Sequence, residues 1–80
     1  MKVNEHLLQL IKHDLDKLNE AAIIVDGKYI KPGGCYYFGT DPLHVLYNTN
    51  CPGIIKTEIE KIITTHIPDV EDGIFKQAEG

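Results

Sequence analysis

The chain is 80 residues long with a formal charge of -4, and its eight basic residues are all lysine. That length supports one small domain with a modest buried fraction, for which self-association is an ordinary remedy. The lack of arginine and the acidic balance argue against direct nucleic-acid binding and against an anionic membrane surface, because arginine is the preferred reader of phosphates and base edges.

The first predicted element is an amphipathic helix over Val3–Asn19. With Ile11 as reference, Leu7, Leu8, Leu15 and Leu18 fall on one broad face, and Val3 and Leu10 on its edge. Gln9, His13, Asp16 and Glu20 project the other way. His6 and His13 are two turns apart, roughly 10 Å along the axis, so one ion cannot bridge them within this helix.

Ala21–Lys31 carries the strongest local hairpin signal, Asp26-Gly27 between two apolar runs. A two-residue loop pairs Val25 with Lys28, Ile24 with Tyr29 and Ile23 with Ile30. Pro32-Gly33-Gly34 then breaks the strand.

A second hairpin follows over Cys35–Asn48, with Gly39-Thr40-Asp41-Pro42 as a four-residue turn. Pairing Phe38 with Leu43 gives one continuously apolar face of Tyr36, Phe38, Leu43, Val45 and Tyr47, which is assigned to the core. The opposite, mixed face carries Cys35, Tyr37, His44, Leu46 and Asn48. A second helix is expected over Pro52–His66, with Cys51 at or beside its N-cap and Ile55, Ile59, Ile62 and Ile63 as its apolar face. His66 falls in the last turn, where a half-buried imidazole suits the helix dipole.

These elements predict an α+β fold, a two-layer sandwich in the order α-β-β-β-β-α. An antiparallel three- to four-stranded sheet would carry both helices on one face. Residues 1–68 form the single domain in this reading and 69–80 an acidic C-terminal tail, from which Ile74 and Phe75 could dock back on the domain.

Three functional readings arise. The first is a non-enzymatic protein-interaction or regulatory module, a homodimer or a cap on a protein partner. It would act through an exposed aromatic sheet face of Ala22, Ile24, Tyr29, Tyr37 and Leu46. The second is a small-molecule binder for a nucleotide-like or heterocyclic ligand, with Tyr29, Tyr37, His44 and Asn48 supplying stacking area and hydrogen-bonding tips. The third is thiol chemistry with Cys51 as the candidate catalytic residue, its thiolate stabilised by the N–H groups of a helix start.

The two cysteines, with fifteen residues between them, match no common zinc spacing. No metal or other cofactor is expected. The predicted faces separate Cys35 from Cys51, so no internal disulfide is expected, although a one-residue error would reverse that inference. No apolar run approaches the ~20 residues of a membrane-spanning helix, and the start Met1-Lys2-Val3-Asn4-Glu5 lacks a signal-peptide pattern, so a cytoplasmic location is expected.

Overall fold

The computed structural model describes residues 5–40 and 42–78. Helix α1 runs over Glu5–Glu20, strands β1 and β2 over Ile23–Val25 and Lys28–Ile30, and a 3-10 turn over Pro32–Gly34. Strands β3 and β4 span Tyr36–Thr40 and Leu43–Tyr47, helix α2 spans Gly53–His66, and a second 3-10 turn over Asp72–Ile74 leads into β5, Phe75–Gln77. The α+β class follows from these elements.

The first hairpin forms as its turn chemistry dictates. Asp26 and Gly27 have φ of 51° and 78°, the two positive values a type I′ turn requires. Ile23 pairs with Ile30, Ile24 with Tyr29 and Val25 with Lys28. Ile23 and Ile30 thereby turn towards the core, while Ile24 and Tyr29 turn away from it.

The second hairpin is tighter than its sequence suggests. Phe38 pairs with Val45 and Thr40 with Leu43, which takes Gly39 and Thr40 of the expected turn into β3, while Asp41 of that turn lies outside the described residues. This register differs by two positions from one that pairs Phe38 with Leu43. Two is the side-chain period of a strand, so the faces are unchanged. Val45 and Tyr47 are buried, and Tyr36, Phe38 and Leu43 pack against the same cluster.

The two hairpins do not share one antiparallel sheet. β1 and β2 form a sheet of their own, whereas β3, β4 and β5 form a three-stranded sheet with β4 in the centre. The break lies at the first 3-10 turn, where Pro32 has no N–H to give a ladder and is buried. A Cβ on Gly33 would come within 3.1 Å of Asn19 Cβ, so this turn lies close against α1.

β5 falls within the segment read from sequence as an acidic tail, and it pairs in parallel with β4: Val45 with Phe75, Leu46 with Lys76 and Tyr47 with Gln77. A parallel neighbour needs a crossover, and α2 supplies it. Phe75 stacks on Tyr47 with ring centroids 6.5 Å apart, and Ala78 N donates to Tyr47 O at 2.8 Å. Gln77 is clamped by Lys56 Nζ, 2.6 Å from its Oε1, and donates through Nε2 to Asn48 O at 2.9 Å.

The core is a row of residues at every fourth position: Cys51, Ile55, Ile59, Ile63 and Ile67. It packs against Ile11 and Leu15 of α1 and Val45 and Tyr47 of β4. Each fully buried isoleucine contributes about 1.5–3 kcal/mol of apolar transfer. Polar groups tie the layers at the margins. Tyr36 Oη donates to Asn19 Oδ1 at 2.7 Å, Tyr47 Oη donates to Glu60 Oε2 at 3.2 Å, and His66 Nε2 lies 2.7 Å from Asp14 Oδ2. That hydrogen bond from His66 holds the Asp14 carboxyl below its usual range.

Candidate functional site

Each hairpin turns one large apolar pair outward, and in each the two residues stand directly opposite one another. In the first hairpin the pair is Ile24 and Tyr29, 60% and 76% exposed. In the second it is Tyr37 and Leu46, 62% and 37% exposed. Ala22 is exposed beside the first pair. Because the hairpins belong to separate sheets, the five residues Ala22, Ile24, Tyr29, Tyr37 and Leu46 form two patches, one per sheet, rather than one face of a single sheet.

His44 completes the outer surface of β3–β4. Its ring lies 5.9 Å from that of Tyr37, tilted by 48°, and its Nδ1 is 2.7 Å from Pro42 O. The imidazole covers Gly39, its cross-strand partner, which is buried although it has no side chain. A Cβ at Gly39 would collide with the ring at Cε1. Gly39 is therefore the residue that lets the ring lie flat on the strand.

Of the four residues Tyr29, Tyr37, His44 and Asn48, the structure brings together only Tyr37 and His44. Tyr29 lies on the other hairpin. Asn48 is committed to the base of the second hairpin, where its Nδ2 donates to Gly34 O at 2.8 Å and its backbone N to Cys35 O at 2.8 Å. Tyr37 and His44 also border different depressions. Tyr37 lines a groove of about 250 Å³ between α1 and β3, with Lys12, Asp16, Asn19 and Phe38, and His44 borders a cleft against Glu71, Gly73 and Ile74.

That groove runs along the side of β3 away from β4, which pairs with no strand among the described residues. Lys12, Asp16 and Asn19 recur at helical spacing along α1, so their common strip is visible in the sequence. What they face is not. Only the tertiary packing that sets the 3-10 turn beside α1 brings Tyr36, Tyr37 and Phe38 across from them.

Cys51 sits one residue before Pro52, the N-cap of α2. The thiol does not meet the free amides of the helix start. It is 7% exposed, within the core cluster, and its Sγ donates to Pro52 O at 3.8 Å. Burial, with Cys35 adding to it, pushes the thiol up to about 11 from 9.0. Burial disfavours the thiolate, which counts against Cys51 as an activated nucleophile.

Burial likewise raises the phenol of Tyr47, with the Glu60 carboxylate reinforcing the shift. Among the described residues no group of three or more His, Cys, Asp or Glu side chains is placed to hold a metal ion, and no helix is long and apolar enough to cross a membrane. Comparison with known proteins finds no matching family model, no matching curated protein and no matching solved structure.

Proposed function

We propose that this chain is a small, acidic, non-enzymatic interaction or regulatory module that self-associates as a homodimer through the outer face of β3–β4. The supporting observation is the opposed pair Tyr37 and Leu46, exposed on a sheet whose other face is packed against the helices. Tyrosine is enriched in association surfaces because it offers a large rigid area with few rotatable bonds and a polar tip. A self-complementary two-fold contact needs one such patch per copy.

The test is sedimentation across a concentration series on the wild type, Tyr37→Asp and Ile24→Asp. A wild-type dimer that Tyr37→Asp converts to a folded monomer, with Ile24→Asp still dimeric, supports the β3–β4 face. Loss of the dimer in Ile24→Asp alone moves the interface to the first hairpin. A wild-type monomer throughout eliminates the homodimer.

A second reading, binding of a heterocyclic or nucleotide-like small molecule, is favoured by the tilted Tyr37–His44 ring pair. Titration with adenosine, followed by the ring resonances of Tyr37 and His44, tests it. Unchanged resonances at millimolar adenosine count against it.

A further inference from the structure

We propose that Cys35 and Cys51 are a dithiol pair that closes reversibly into an intramolecular disulfide at the base of the β3–β4 hairpin. The sequence places Cys35 on the outer face by counting back along an extended strand. The structure instead gives Cys35 φ of -104° and ψ of -7°, a helical conformation that ends the Pro32–Gly34 turn. The alternation therefore stops one residue before β3. Cys35 is turned inward and packs against the core cluster that contains Cys51.

Asn48 fixes the approach. Its N donates to Cys35 O at 2.8 Å, its O accepts from Cys51 N at 3.1 Å, and its Nδ2 donates to Gly34 O at 2.8 Å. One residue thus ties the backbones of both cysteines; the Cys35 thiol donates to Lys31 O and the Cys51 thiol to Pro52 O, each at 3.8 Å, and Cys35 is close enough to help hold the Cys51 thiol protonated. Both are free in this structure.

The oxidant is a low-molecular-weight disulfide such as oxidised glutathione. Cys35 is half-buried and Cys51 nearly sealed, so the first step belongs to Cys35. Its thiolate attacks one glutathione sulfur, a mixed disulfide forms, and the first glutathione leaves as a thiolate. Cys51 then loses its proton and attacks the Cys35 sulfur, expelling the second glutathione. The two protein thiol protons end on the two released glutathiones, the protein is oxidised by two electrons, and the glutathione disulfide is reduced by two. Burial keeps the Cys51 thiol protonated at neutral pH, so this second step should quicken as pH rises.

The experiment equilibrates the wild-type chain in glutathione redox buffers, folded and in denaturing urea, followed by acid quench and intact mass. Expected is a product lighter than the dithiol by two hydrogens, with no free thiol left to alkylate and a Cys35–Cys51 linked peptide on digestion. The folded chain should need at least ~10-fold more reduced glutathione for half-reduction than the urea-unfolded chain, because the fold holds the thiols together. A second arm uses Cys51→Ser, which should stop at a glutathione adduct on Cys35. A folded wild type that keeps a stable adduct, links between molecules, or is reduced as easily as the unfolded chain overturns the pair, whether or not the variant folds.

Discussion

Replacing Gly39 with alanine puts a methyl group where the His44 imidazole now lies, so the ring must leave. Two effects oppose. Alanine in an extended segment restricts the unfolded chain and stabilises by about 0.5–1 kcal/mol relative to glycine. Against this, the displaced ring loses its hydrogen bond to Pro42 O, about 0.5–1.5 kcal/mol net, and its contact with Tyr37, about 0.5–1 kcal/mol.

The losses win, and Gly39→Ala should destabilise by about 1 kcal/mol, lowering the thermal midpoint by roughly 4–8 °C for a domain of this size. In a His44→Ala background the methyl meets no ring, and the same substitution should be neutral or slightly stabilising. Urea unfolding of the four chains in this cycle, followed by circular dichroism, measures the coupling. A coupling energy below about 0.5 kcal/mol would refute the account, since residues in direct contact couple by more than that.

Three further outcomes are expected. Ile59→Val should cost about 0.5–1.5 kcal/mol in urea unfolding because Ile59 has no exposed surface, whereas Ile54→Val on the same helix, where the side chain is 54% exposed, should be nearly silent. The lowered pKa of Asp14 means that the folded chain binds this proton less tightly than the unfolded chain. Its contribution is therefore full above about 3.8 and is lost as pH falls through the lower folded value. Asp14→Asn should flatten the acid limb of the stability profile, and an unchanged slope would show that the His66 contact carries nothing. Truncation after Ile74 removes β5 and should speed hydrogen exchange of the β4 amides; unchanged protection would mean that the parallel pairing adds no stability.

The elements legible in the sequence are those fixed by local or periodic signals. Asp26-Gly27 specifies a type I′ turn and with it every pair of the first hairpin. The isoleucine spacing of α2 is a 3.6-residue period, and α1 repeats the same logic through Ile11 and Leu15. The faces of the second hairpin survive a two-position difference in register because the strand period is two. What was not legible depends on partners far along the chain.

β5 has one apolar residue in three, and its strand exists only because β4 offers an edge. The helical backbone at Cys35 follows from how Pro32–Gly34 packs on α1, which no alternation rule contains. His66 and Asp14 meet from different helices, 52 positions apart. For the outward patches, sequence identified the exposed residues Ile24, Tyr29, Tyr37 and Leu46. It joined them into one face because it joined the two hairpins into one sheet.

The parallel placement of β5 has a consequence for how the chain acquires its fold. Phe75 pairs with Val45, thirty positions earlier, across the whole of α2. Loop closure over that span comes before the contacts that reward it, so docking of β5 is the natural late event, after both hairpins and the helices have formed. During synthesis from the N-terminus, β4 therefore emerges with one edge bare until β5 arrives. In that interval an exposed strand edge on one nascent chain can recruit a neighbour, which ties the order of assembly to the risk of misassembly.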